Sequence, residues 1–161
     1  MTLQGDLLES SVVDRRQQDT WPKKIIFYAV ALSWELHYQW ASESTTTELN
    51  EEDNRLIISG STKDFRECGE LLHPWLQKQA ERYFTPWLQK LSHDYQLPYE
   101  KLSYRGQKTL WGSCTEGKNI SLNYKLLFLP ARLVRYVLIH ELCHTKILDH
   151  SRQFWNLVAN F

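Results

Sequence analysis

One predicted helix most constrains what this chain can fold into. It begins near Pro130, runs to about Ile147 and is apolar on several sides. A helix of that kind is usually buried, yet this one carries His140, Glu141 and His144 in the pattern HExxH. An acidic residue inside a buried helix needs a partner or a function. The pattern therefore predicts a polar site built on an otherwise apolar helix.

The spacing of these residues suits a metal ion. Residues four apart on a helix lie one turn apart on the same face, so the imidazoles of His140 and His144 can both reach one ion. Glu141 lies about 100° further round the helix. From there it can accept a proton from a metal-bound water, as a general base. We therefore predict one divalent ion per chain, most simply Zn²⁺, beside a catalytic glutamate.

A tight zinc site needs a third protein ligand, and His150 is the natural candidate. It lies on the wrong face if the helix continues, so we expect the helix to end near Leu148 and the chain to turn back. Asp149 and Ser151 favour such a break. Asp149 is itself an alternative ligand, although a capping role suits it better. The simplest alternative is that the three histidines only make ordinary hydrogen bonds.

Composition limits the class of protein. The chain has 161 residues and no net charge, which is one domain's worth of sequence and excludes a broadly basic coat protein. Residues 1–60 carry 5 Lys and Arg against 10 Asp and Glu, whereas residues 61–161 carry 14 against 9. Three cysteines without a CxxC motif indicate reduced thiols and a cytoplasmic protein. No stretch is apolar enough for a membrane span, and the N-terminus lacks a signal-peptide pattern.

The remaining pattern predicts an α+β fold with helices packed on one mostly antiparallel sheet. Residues 1–20 form a polar N-terminal arm, residues 21–161 a single domain, and Ala41 to Asn54 a solvated acidic loop. We expect Gly117 to supply positive φ in the hairpin turn. The predicted strands are Ile25–Val30, Ser33–Trp40, Leu56–Ile58, Lys101–Arg105, Trp111–Cys114 and Asn119–Tyr124. The other predicted helices are Lys63–Tyr95, with a kink or a restart at Thr85-Pro86, and Arg152–Phe161.

The region from Tyr104 to Trp155 resembles the YgjP-like metal-dependent hydrolases, a family similar to SprT-like metalloproteases and other zincins. The resemblance rests on WGSC at Trp111–Cys114, ISLN at 120–123, HELCH at 140–144 and HSRQFW at 150–155. It implies a zincin-like metallopeptidase domain. In it, His140, His144 and His150 match the metal ligands and Glu141 the catalytic glutamate. Leu110 departs from the basic residue expected before the tryptophan, and Ile147 stands where metzincins have glycine.

The hairpin before the metal helix is a candidate substrate wall, since zincin substrates commonly add to an edge strand. Its candidate substrate-binding residues are Trp111, Gly112, Ser113, Cys114 and Asn123. A purely structural hairpin with Trp111 in the core explains the pattern equally well, and Cys114 is a less favoured metal ligand. The candidate donors to a developing oxyanion are Arg105, Asn123, Tyr124, Tyr136 and Arg152.

Three functions remain open from the sequence. A metallopeptidase is favoured by the resemblance, with a peptide or a small anionic compound as substrate and no membrane partner. Hydrolysis of a nucleotide phosphoanhydride suits the basic C-terminal part, although no Gly-rich phosphate loop is present. A non-catalytic metal-binding or nucleic-acid-associated module is the third, and it is weakly supported because the Lys and Arg residues are spread out.

Overall fold

The fold is described here from a computed structural model, for residues 21–40, 46–60 and 65–161. The predicted arm at 1–20 and the first residues of the predicted acidic loop lie outside these ranges. The chain divides into two compact units, each with its own contacts. The first unit contains the described residues of 21–25 and 34–68, and the second contains 26–33 and 69–161. The prediction of a single domain over 21–161 stays a prediction.

The N-terminal sheet has four strands in the order β1-β2-β4-β3. Its strands are β1 (Lys24–Phe27), β2 (Leu32–Trp40), β3 (Glu48–Glu52) and β4 (Arg55–Gly60). On β2 the predicted alternation is present, with Trp34 and Leu36 buried between exposed Glu35 and His37. β4 pairs in parallel with β2 and antiparallel with β3.

Strand β3 corrects the prediction of a loop from Ala41 to Asn54. Its side chains are mostly exposed, so its sequence lacks the apolar alternation that marks a half-buried strand. Pairing with β4 forms it instead, across a tight turn in which Asp53 adopts φ 52°. The indole Nε1 of Trp34 also donates to Glu51 Oε1 at 2.9 Å. Backbone pairing and this hydrogen bond stabilise β3, although its sequence lacks the apolar alternation of a half-buried strand.

The helices are α1 (Phe65–Tyr95), α2 (Ala131–His144) and α3 (Arg152–Val158), with a short 3₁₀ helix at Tyr124–Phe128. Of the kink or restart expected at Thr85-Pro86, the restart is wrong, because α1 continues through Pro74 and Pro86. Both prolines are exposed, so water can reach the carbonyls that lose their intrahelical partners. α3 ends three residues before the predicted Phe161. Among the described residues, no helix is long and apolar enough to cross a membrane.

The second unit contains a three-stranded sheet in the order β5-β7-β6. Its strands are β5 (Lys101–Arg105), β6 (Gly112–Cys114) and β7 (Asn119–Asn123). β6 and β7 form the predicted antiparallel hairpin, but β5 pairs with β7 in parallel. Positive φ in the turn falls on Lys118, at 56°, and not on Gly117. The expected single, mostly antiparallel sheet is thus replaced by two small sheets that each contain a parallel pair.

The core of the second unit fixes where α2 lies. Val134, Leu138 and Leu142 of α2 are fully buried, as are Ile120 and Leu122 of β7. Burying side chains of this size is worth roughly 1.5–3 kcal/mol each. α2 packs against β6 and α3. The apolar face of α2 is thereby held in the core, and Glu141 is brought against Gly112 of the hairpin.

Candidate metal centre

The end of α2 determines how the three histidines meet. The helix ends at His144, before the end predicted at about Ile147 or Leu148, and Thr145 caps it with its hydroxyl donating to Leu142 O at 2.7 Å. The chain then turns, and Asp149 Oδ1 accepts a hydrogen bond from Ser151 N at 3.1 Å. Asp149 therefore stabilises the local turn before α3 and does not cap that helix, whose N-cap residue is Ser151. This turn carries His150 back toward α2.

The ligand atoms of His140, His144 and His150 all lie within 4.8 Å of one another. His140 Nε2 is 3.1 Å from His144 Nε2 and 3.1 Å from His150 Nε2. Two nitrogen ligands of a tetrahedral zinc ion, bonded at about 2.0–2.1 Å, lie roughly 3.3 Å apart. The observed separations are close to that value. Three ring nitrogens thus converge on a space of the size that one ion needs.

The protons on these rings cannot satisfy all the nitrogens. His144 Nδ1 lies 3.0 Å from the carbonyl oxygen of Ile147, so Nδ1 carries the proton and Nε2 presents a lone pair. His140 Nε2 has either one hydrogen or one lone pair, and it faces two nitrogens. A single hydrogen on this atom can at best be shared between the two nitrogens, whereas a cation between the rings would bind a lone pair from each. The donor set therefore fits a divalent metal ion.

The charge state of the rings also suits a metal. Burial, followed by the neighbouring His144 and His150, lowers the pKa of His140 to about 4. Burial likewise lowers the pKa of His144. Both rings are therefore neutral at pH 7, which is the form in which imidazole binds a metal.

Glu141 lies in the core beside this cluster. Its side chain is 5% exposed, and burial raises its pKa to about 7. Its Oε2 has no hydrogen-bond partner among the described residues. Gly112 of β6 packs directly against it, since a Cβ atom at Gly112 would lie 2.7 Å from both Cγ and Oε1 of Glu141. Absence of a side chain at 112 is what allows the carboxylate to reach this position.

Aromatic side chains surround the histidines, and Phe154 is the residue that the sequence analysis missed. Its ring is fully buried, stacks on His144 at 4.3 Å and contacts His140 and His150 at 4.9 and 5.0 Å. Trp155 lies 5.8 Å from His140 and remains 46% exposed. Only the HSRQFW motif at 150–155 marked these two positions, without a role. Phe154 holds the three rings in place from the interior side.

The hairpin residues fall into different environments. Trp111 is 46% exposed, so the expectation that it packs in the core is wrong. It projects from the loop before a three-residue strand, which leaves too little sheet to cover it. Cys114 does not join the group of converging ligand atoms, and burial raises the pKa of its thiol to about 11. Ser113, between them, pairs with Ser121 across the hairpin.

Asn123 anchors the loop that precedes the hairpin. Its Nδ2 donates to the carbonyls of Gln107 and Leu110 at 2.9 and 2.8 Å, and its Oδ1 accepts from Lys125 N at 3.1 Å. Its amide is therefore already engaged by protein groups. Tyr124 is buried and packs on Gly106.

Of the other candidate oxyanion donors, Tyr136 lies nearest the histidines along the helix. It precedes His140 by one turn, so both are on the same face, and their rings are 6.1 Å apart. Tyr136 is 48% exposed. Arg105 and Arg152 are also exposed.

Comparison with known proteins identifies the family. A family model described as "YgjP-like, metallopeptidase domain" matches residues 9–161. No curated protein and no solved structure matches the chain. The family and the histidine cluster together suggest a metal-dependent hydrolase. Since the match covers nearly the whole sequence, the chain belongs to the YgjP-like metallopeptidase domain family.

Proposed function

We propose that the protein is a zinc-dependent peptidase with a zincin-like catalytic unit, in which His140, His144 and His150 hold one ion and Glu141 is the general base. The observation that carries the proposal is the convergence of three ring nitrogens, 3.1 Å apart in two pairs, beside a buried glutamate. Structural zinc sites use four protein ligands, whereas catalytic sites use three and keep one position open. Three histidines therefore favour catalysis over a structural site.

The residues around the cluster have separate proposed roles in hydrolysis. When bound, the ion supplies a Lewis acid that polarises a substrate carbonyl and lowers the pKa of coordinated water. The carboxylate of Glu141 takes up the proton from the attacking water, and its buried position strengthens proton uptake. Tyr136 is the proposed hydrogen-bond donor to the developing oxyanion. Phe154 excludes water from the interior side of the rings.

Strand β6 is the proposed peptide-binding edge. It is the outer strand of its sheet, so no described strand covers its second edge. An extended peptide can pair with such an edge through backbone hydrogen bonds. Gly112 lies on this strand and contacts Glu141, which brings the edge and the proposed base together. A reducing compartment such as the cytoplasm is the proposed location, because Cys114 and Cys143 carry free thiols.

Replacing Glu141 with glutamine tests the mechanism. The zinc-loaded full chain should hydrolyse members of a fluorogenic peptide library, and Glu141→Gln should lower kcat/KM by at least about 100-fold because the base is lost. Metal analysis should find zinc retained, since the histidines are intact. Glu116→Gln, in the exposed hairpin turn, is the matched control and should leave hydrolysis unchanged.

Two results would contradict this proposal. Undiminished peptide hydrolysis by Glu141→Gln would exclude Glu141 as the base. Cleavage of nucleoside triphosphates, with no cleavage of any peptide by the same preparation, would favour the phosphoanhydride hydrolase instead.

A further inference from the structure

A second feature of the hairpin region is a cavity of about 110 Å³ at the loop before β6. We name it the lysine cavity, and it is lined by Gln107, Lys108, Thr109, Leu110, Trp111, Asn123 and Lys125. The described residues that line it include two lysines and no Asp or Glu. Neither Lys108 nor Lys125 forms an ion pair with any described residue. Two uncompensated cations around one small cavity favour an anionic ligand.

The backbone of the same loop adds hydrogen-bonding capacity. Asn123 binds the carbonyls of Gln107 and Leu110, which fixes the loop from both sides. Within the described part of the chain, the N–H groups of Lys108, Thr109 and Leu110 donate to no protein acceptor. These three exposed residues line the cavity, so their N–H groups are open to an oxyanion such as a carboxylate or a phosphate. The cavity thus offers hydrogen-bond donors to an oxygen-bearing anion.

The position of the cavity relates it to the proposed peptide edge. Trp111 lines the cavity, and the next residue, Gly112, contacts Glu141. The cavity therefore lies just beyond the N-terminal end of β6, next to the point where a scissile bond would lie. A peptide that pairs antiparallel with β6 runs in the opposite direction, so its C-terminal side extends toward the cavity.

We propose that the lysine cavity binds the free C-terminal carboxylate of a peptide substrate, through Lys108 and Lys125, and that the enzyme releases short C-terminal fragments. This proposal rests on the proposed peptidase function and adds a substrate class to it. Peptide C-termini carry their carboxylate at the end of an extended backbone, which is the arrangement that an edge strand followed by a cationic cavity can bind. Internal peptide segments lack this charge and gain nothing from the two lysines.

A pair of substrates tests the carboxylate directly. Two fluorogenic peptides of the same sequence, one with a free C-terminal carboxylate and one with a C-terminal amide, are hydrolysed by the zinc-loaded full chain. The carboxylate peptide should have a kcat/KM about tenfold higher, mainly through a lower KM, because the lysines bind the substrate in both ground and transition states. Equal kcat/KM for the two peptides would overturn the proposal.

Matched variants assign the effect to the cavity. Lys108→Gln and Lys125→Gln should each reduce the preference for the carboxylate peptide, and the double variant should abolish it. Lys101→Gln removes the same charge from an exposed position on β5, at the opposite edge of the sheet, and should keep the preference. A preference that survives in the double variant, or is lost equally in Lys101→Gln, would contradict the assignment.

A binding measurement separates this proposal from the peptidase function. The metal-free chain is titrated by NMR with an N-acetylated dipeptide that ends in either a free carboxylate or an amide. The dipeptide with the free carboxylate should shift the amide resonances of residues 107–111, and the one with the amide should not. That result would support the carboxylate site even if no peptide were hydrolysed. Shifts with inorganic phosphate alone, and none with the carboxylate, would show that the cavity takes phosphate and would overturn the assignment to a peptide C-terminus.

Discussion

At the scale of single residues, the candidate site depends on groups that the core deprives of water. His140 and His144 are kept neutral by burial, and Glu141 is kept a stronger base than an exposed carboxylate by the same cause. The placement of these three residues could be predicted from the sequence. Helical spacing puts His140 and His144 on one face and Glu141 about 100° further round. The placement of Phe154 could not be predicted, since its contact with the rings depends on how α3 packs against α2. A local sequence pattern contains no information on how two helices pack.

Gly112 offers a sharp test at this scale. In Gly112→Ala, the new methyl group meets Cγ and Oε1 of Glu141 at 2.7 Å, closer than real Cβ contacts. Because Glu141 is buried, its carboxylate has to move, and we expect kcat/KM on the best peptide to fall at least about tenfold, which is a barrier increase of about 1.4 kcal/mol. Zinc content should be unchanged, since no histidine is touched.

The control for this variant is Gly69→Ala in α1, where a Cβ meets no atom within 4 Å. That change should preserve activity and add up to about 1 kcal/mol of stability, because alanine is the better helix former. Wild-type kcat/KM in Gly112→Ala would show that the close approach to Glu141 has no role in catalysis.

At the scale of elements, predictions from the sequence succeed where one element supplies its own signal. α2 starts at Ala131 after Pro130, and β2 alternates, both as their residue patterns indicate. The prediction missed β3, because the side chains of this strand are exposed and the strand is formed by backbone pairing with β4. α1 continues through two prolines because their freed carbonyls face water, an environment that sequence does not reveal. Elements stabilised by neighbours or by solvent access are therefore the ones missed.

The burial of α2 leads to a prediction about stability. Leu138 is fully buried, so Leu138→Ala should destabilise the protein by about 2–5 kcal/mol through lost apolar burial and the cavity left behind. Leu133 lies on the same helix but is 44% exposed, and Leu133→Ala should cost less than about 1 kcal/mol. Urea unfolding followed by circular dichroism measures both. Similar losses in the two variants would contradict the burial assigned to α2.

At the scale of the whole molecule, topology was the least predictable property. Both sheets contain a parallel pair, β2 with β4 and β5 with β7, and in each case another strand lies between the two in sequence. Short strands close in sequence ordinarily suggest antiparallel hairpins, because a parallel pair needs a crossover connection. Here β3 and β6 form part of those connections. No residue pattern distinguishes this insertion from a simple meander.

Metal binding should be visible as a property of the whole chain. An ion that binds the folded state and not the unfolded state stabilises it by about 2.7 kcal/mol at 100 times its Kd. For a chain of this size, that corresponds to a rise in Tm of roughly 5–10 °C. Calorimetry of the metal-free protein with and without zinc should show this rise. Since the three histidines lie in the unit that contains 69–161, a separate transition of the other unit should not move.

Two histidine variants determine whether this stabilisation comes from the converging rings. His150→Ala removes an exposed ligand from the cluster, so the metal-free Tm should hardly change while most of the zinc-induced rise is lost. His93→Ala removes a histidine whose side chain is 91% exposed on α1, and it should keep the full rise. An undiminished rise in His150→Ala would exclude His150 as the third ligand. If both variants lost the zinc-induced rise in Tm equally, zinc would stabilise the chain by scattered surface binding. His150 belongs to the cluster and His93 does not, so binding at the cluster should affect only His150→Ala.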